Sequence, residues 1–211
     1  MKTDDLITML ARGAGPVEPP EDGRRLALGL PLAAVLAVAL VAAVLGLIPP
    51  VLWPASATGV KMAYAGALAF SGLWLLRRLG RPGASVVLPL AVIGGVLGIA
   101  AMVGLADALA VPEAARGMQL MGKSASRCPT AIVLLSLPAL AVCLFAARAL
   151  APVHRARAGA AAGLAAGALA AAAYGLACDE GALVFITVWY SLGMLIATGI
   201  GALVGPQALR W

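Results

Sequence analysis

Six long apolar runs, separated by short polar or proline-marked breaks, organise the chain. They cover residues 26–48, 55–76, 84–106, 129–147, 158–177 and 182–203. The breaks hold Pro49-Pro50, then Arg77, Arg78 and Arg81, then Glu113, Arg116, Lys123 and Arg127, then Arg148, Pro152, His154, Arg155 and Arg157, and finally Cys178-Asp179-Glu180. Each run has 19–23 residues, enough at about 1.5 Å rise per residue to cross a hydrocarbon core of about 30 Å. Backbone groups in lipid must bond within their own segment, so the runs are predicted to be helices rather than strands. The expected fold is an all-α membrane protein. Residues 26–211 form a six-transmembrane-helix bundle, and residues 1–25 form a short cytoplasmic N-terminal tail.

Composition supports this reading. Of 211 residues 63% are hydrophobic and 11% are charged, against about 25% charged in an average soluble domain. Mean hydropathy is +1.01. A soluble protein of this size could not hide that much apolar surface. A soluble enzyme, a disordered chain and a secreted disulfide scaffold are therefore excluded.

Charge sets the orientation. Six crossings put both termini on one side. With that side cytoplasmic, the inner segments hold Lys2, Arg12, Arg24, Arg25, Arg77, Arg78, Arg81, Arg148, Arg155, Arg157 and Arg210. The outer segments hold Lys61, Arg116, Lys123 and Arg127. Eleven basic residues against four satisfy the positive-inside rule. The net charge of +6 is thus topological, and membrane lipid rather than nucleic acid is the expected environment. The first run follows 25 polar residues and is read as a retained helix, not a cleaved signal. Trp53, Trp74, Trp189, Tyr190 and Trp211 fall near span ends and are read as interfacial anchors.

Glycine recurs at four-residue spacing. The fifth span carries Gly159, Gly163 and Gly167. The sixth carries Gly193, Ala197, Gly201 and Gly205, and the third Gly94 and Gly98. Small residues at this spacing let helix backbones approach closely, and packing within the molecule is expected ahead of the alternative, a dimer interface. Pro89 and Pro138 sit inside the third and fourth runs, where each is expected to bend its helix. No Asp, Glu, Lys, Arg or His lies deep in any predicted span, which weakens an ion or proton pathway.

Candidate chemistry is sparse. Cys143 lies mid-span and reads as a small core residue. Cys128 and Cys178 fall at the outer ends of the fourth and fifth spans, which a short inner loop makes antiparallel neighbours. Two such thiols on the oxidising side can form a disulfide or hold one soft metal ion. The alternative is a pair of incidental cysteines near an interface. Cys128, before Pro129, is expected at a helix N-cap, where the helix dipole and Arg127 favour its thiolate. Asp179 and Glu180 beside Cys178 could add ligands, so Cys128, Cys178, Asp179 and Glu180 are a candidate donor set for a transient soft metal ion. No resident cofactor is expected. No nucleophile triad, metal-spaced histidine cluster or phosphate loop is visible, and the chain is read as a non-enzyme.

The tail holds Asp4, Asp5, Glu18, Glu21 and Asp22, five of the nine acidic residues. Thr3 suits an N-cap, with Asp4 and Asp5 favourable in the first turn. Leu6, Met9 and Leu10 then share one helical face with Ile7 beside them. Gly13 and Gly15 end the segment, and Pro16, Pro19 and Pro20 make an extended linker. So short a helix gains order by laying its apolar face in a partner's groove; the alternatives are a disordered tail and a helix on the membrane surface, the latter disfavoured by the acidic residues.

The opening Met1-Lys2-Thr3-Asp4-Asp5-Leu6-Ile7, the proline-rich Pro16-Val17-Glu18-Pro19-Pro20, Cys128-Pro129, and Cys178-Asp179-Glu180-Gly181-Ala182 leading to Trp189-Tyr190, together with the six spans, resemble the NrsF family of bacterial membrane anti-sigma factors over essentially the whole chain. The resemblance implies an inner-membrane protein that sequesters an extracytoplasmic-function sigma factor through Thr3, Asp4, Asp5, Leu6, Ile7, Met9 and Leu10. It also implies that Cys128 and Cys178 sense heavy-metal or oxidative stress. The zinc-binding His-x-x-x-Cys-x-x-Cys pattern of many soluble anti-sigma domains is missing. The competing readings are a small passive channel or carrier, and an accessory scaffold subunit of a membrane complex.

Overall fold

The computed structural model describes residues 3–13, 22–81, 83–150 and 152–210. Trp211 and the tail prolines Pro16, Pro19 and Pro20 lie outside the described residues. Eight helices are distinguished among those that are described: α1 (Thr3–Gly13), α2 (Asp22–Val44), α3 (Thr58–Leu79), α4 (Val87–Leu109), α5 (Glu113–Met121), α6 (Arg127–Arg148), α7 (Arg155–Gly175) and α8 (Leu183–Ala208). No strand occurs among the described residues. Five helices, α3, α4, α6, α7 and α8, are long and apolar enough to cross a membrane. The described apolar part of α2, Leu28–Val44, is shorter than these.

The first apolar run does not stay helical to its end. Gly46 adopts φ of +77°, and the amides of Leu45 and Gly46 both bond to the Val41 carbonyl. A left-handed glycine just past the last turn is a strong helix stop. Residues 45–48 are therefore freed from α2, and the Ile48 amide donates to the Leu176 carbonyl at 2.9 Å.

Helix α7 is the hub, packing against α2, α3, α6 and α8. Its glycines face α8 so closely that side chains have no room. A Cβ on Gly159 would strike the Gly201 carbonyl oxygen, and one on Gly163 the Ala197 carbonyl oxygen. The α7 and α8 glycine stripes are thus an intramolecular seam, as expected. Gly193 instead faces Ile132 of α6. Gly94 and Gly98 depart from the expectation, since nothing lies within 4 Å of either Cβ position. Helix α4 is the least enclosed span, and a four-residue glycine spacing does not say which way that face points.

Pro89 is a second correction. It is the third residue of α4, and a first-turn residue has no intrahelical bond to lose. Pro138 does lie inside α6.

Two core clusters divide the bundle along its length. One holds Val41, Tyr64, Cys128, Tyr174, Cys178, Phe185 and Tyr190. The other holds Ala33, Leu76, Cys143, Ala162 and Leu209. They mark a cysteine end and an arginine end, the latter bearing Arg77, Arg78, Arg148, Arg155 and Arg157 at helix termini. Ala33 lies in the arginine-end cluster and Val41 in the cysteine-end cluster, so α2 starts at the arginine end.

Candidate functional site

Cys128 and Cys178 meet in one core cluster at the cysteine end. Both are free thiols, 0% and 4% exposed. Helix α6 begins at Arg127 with Ser126 as its N-cap. Cys128 is therefore inside the first turn rather than at the cap, and its side chain faces the bundle. The expectation of a capping thiol beside Arg127 is corrected accordingly. Cys178 follows α7, with its amide bonded to the Tyr174 carbonyl.

Lys61, which the charge pattern places with the outer flank of the second span, is buried beside this cluster. It is 0% exposed, one turn into α3. Its Nζ donates to the Cys178 carbonyl at 2.6 Å and stands 6.0 Å above the Tyr190 ring. An ammonium has three donors, and the Cys178 carbonyl takes one.

Tyr190 is also a correction. It was expected as an interfacial anchor but is 0% exposed. A π-helical turn, Ile186–Tyr190, carries its ring against Tyr174, with centroids 5.9 Å apart. Its hydroxyl is buried with no hydrogen-bond partner among the described residues. Buried hydroxyls are normally satisfied, and π-turns are frequent at functional positions. Trp53 and Trp189 donate through Nε1 to the Ile48 and Leu120 carbonyls.

The two carboxylates predicted as extra metal ligands are engaged elsewhere. Glu180 Oε1 accepts from the Lys123 amide at 2.5 Å and from Ser124 Oγ at 3.3 Å. Asp179 pairs with Lys123 Nζ at 3.5 Å. Among the described residues no group of three or more His, Cys, Asp or Glu side chains is placed to hold a metal ion. The donor set that converges is the sulfur pair. Together these contacts strap the 176–181 segment on two sides. The α2–α3 connection holds it through Ile48 and α3 through Lys61, and the α5–α6 turn holds it through Glu180.

The tail residues Thr3, Asp4, Asp5, Leu6, Ile7, Met9 and Leu10 form a helix with no buried residue. Asp4 and Asp5 occupy its first turn and Arg12 its last, both favourable to the helix dipole. Thr8 Oγ1 bonds to the Asp4 carbonyl at 2.8 Å. Leu6, Ile7, Met9 and Leu10 are all exposed.

Comparison with known proteins accounts for this combination. Residues 10–211 match the NrsF family, described as negative regulator of sigma F. The chain is 40% identical over 220 aligned residues to the probable anti-sigma-F factor NrsF of Azospira oryzae, covering all of both chains. It is 37% identical, again over the full length of both, to the anti-sigma-F factor NrsF of Caulobacter vibrioides. No solved structure matches it. With a helical membrane bundle, an exposed amphipathic tail and identity of this extent along the entire length, the chain belongs to the NrsF family of anti-sigma factors.

Proposed function

We propose that this protein is an inner-membrane anti-sigma factor that holds an extracytoplasmic-function sigma factor through α1 and releases it when Cys128 and Cys178 react on the periplasmic side. In this reading α2 is the sixth crossing, both termini are cytoplasmic, and the arginine end faces the cytoplasm as the basic-residue bias requires. The observation that carries it is α1, an amphipathic helix whose Leu6, Ile7, Met9 and Leu10 are exposed in a chain of an anti-sigma family. An unpartnered apolar helical face is the kind of element that docks in a partner's groove.

The thiol pair is the receptor, and the signal is a soft metal ion or an oxidant, received transiently and without a resident cofactor. Support comes from the convergence of Cys128 and Cys178 in one cluster. Support for a route to the tail comes from α2, which packs on α6 and α7. Its trailing segment is bonded to Leu176, two residues before Cys178. A shift of the α6 and α7 ends would move α2, and α2 carries the tail. To change occupancy usefully, the two states need differ in sigma affinity by only about 1–3 kcal/mol.

A pull-down of the sigma factor with membranes tests the tail assignment. Deleting residues 1–15 is expected to abolish recruitment. Undiminished recruitment would overturn the assignment.

A further inference from the structure

Helix α4 is fixed to the bundle by polar contacts along its C-terminal half. Thr187 Oγ1 donates to the Ala100 carbonyl at 3.0 Å. Asp107 Oδ2 accepts from the Val184 amide at 3.1 Å and from Gln119 Nε2 at 3.0 Å. The N-terminal half stands away from α7 and α8. Two adjoining cavities result, of about 500 and 570 Å³, and both are lined by Ile93, Leu164 and Thr198. These volumes are in the range of small-molecule sites, about 300–1,000 Å³. Leu90 and Leu195 add to a wall that is mostly aliphatic, and the Thr198 hydroxyl is already bonded to the Met194 carbonyl. Such a groove gives water few partners.

One charged group stands at its arginine end. Arg157 lines the second cavity and is exposed. It makes no hydrogen bond or ion pair among the described residues. The neighbouring helix ends and their connections, residues 77–86, 148–158 and 204–211, contain no Asp or Glu. Outside the tail, no Asp or Glu side chain lies in the segments at this end to neutralise its arginines.

We infer that the α4–α7–α8 groove binds an anionic phospholipid, its acyl chain in the joined cavities and its phosphate on the Arg157 guanidinium. A guanidinium presents paired donors that match phosphate oxygens. Basic pockets between membrane helices on the cytoplasmic side hold anionic headgroups in this way. An acyl chain is the occupant that a bilayer supplies to an apolar groove. This site does not depend on the sigma-factor reading.

The test uses the full-length protein in detergent, supplied with phosphatidylglycerol or phosphatidylcholine. Bound lipid is counted by native mass spectrometry. One phosphatidylglycerol per chain should be retained in preference to phosphatidylcholine. Arg157→Gln should weaken that retention about tenfold or more, the size of one charge-assisted bond, and Arg157→Lys should restore part of it. Leu164→Trp should lower retention of both lipids by filling the groove. Inorganic phosphate at millimolar concentration should not displace the lipid; displacement would make the site a headgroup site alone and overturn the groove assignment. Equal retention of both lipids, with Arg157→Gln silent, would overturn the proposal. So would stronger retention after deletion of residues 1–21, which removes Asp4, Asp5, Glu18 and Glu21, because the acidic tail would then be the natural occupant. Where Leu164→Trp fails to fold, the two Arg157 variants decide alone.

Discussion

Lys61 reaches across from α3 to donate a 2.6 Å hydrogen bond to the carbonyl of Cys178. It is the only buried charged side chain among the described residues, and it fixes the backbone of a thiol-bearing segment to a neighbouring span. Replacing it with an aliphatic side chain leaves that carbonyl without its donor. Lys61→Met should therefore lower stability by about 1–3 kcal/mol, read as thermal unfolding in detergent. Lys61→Gln keeps a shorter donor and should lose less. Equal stability of Lys61→Met and the parent would show that the bond does not hold the segment.

The glycine seam makes a paired prediction. Gly163→Ala drives a methyl into the Ala197 carbonyl and should destabilise by about 1–3 kcal/mol. Gly98→Ala meets open space and should be neutral, or stabilise by up to about 1 kcal/mol through lower backbone freedom in the unfolded chain. The same melting assay separates them, and a silent Gly163→Ala would contradict the α7–α8 packing.

Access to the thiols should be controlled by Glu180. Both sulfurs are buried, so a reagent meets them only after local opening. Glu180→Ala removes the bonds to Lys123 and Ser124 and should speed maleimide labelling of Cys128 about tenfold or more. Cys143, buried in the other cluster, should label at an unchanged rate. Uniform acceleration of all three thiols would mean global loosening instead.

The tail should be separable from the bundle. Leu6→Asp combined with Leu10→Asp replaces two exposed apolar residues of α1. It should abolish sigma-factor capture and leave the melting temperature within about 1 °C, as expected for surface changes. A large stability loss would show that α1 packs on the bundle.

Much of this architecture was legible in the sequence because lipid imposes a plain rule. A crossing needs an unbroken apolar run, and Arg77, Arg148 and Cys178-Asp179 mark where such runs stop. The α7 and α8 glycine stripes were legible for a similar reason, since only glycine and alanine admit contact that close. Facing was harder to read. Uniformly apolar helices carry no polar side to orient them, so Gly94 and Gly98 gave no sign that they look away from the bundle. Lys61 read as a flank because lysines near span ends usually reach for water. Here the side chain turns inward to the Cys178 carbonyl, and only three-dimensional contact reveals that. Gly46 was the available signal that α2 stops before the prolines. Helix α5 has no apolar run to mark it, because its nine residues mix charges with Met118, Leu120 and Met121. The π-turn that buries Tyr190 has no sequence signature in this chain.

In the proposed mechanism two sulfurs at one end of the bundle govern a helix attached at the other. This coupling is tested most directly by preparing membranes loaded with the sigma factor and treating their periplasmic face with a soft metal salt or a thiol oxidant. The sigma factor still bound is then measured for the parent and for the Cys128→Ser, Cys178→Ser double variant. The account predicts release from the parent and full retention by the variant. Equal release from both, or none from the parent, would contradict it.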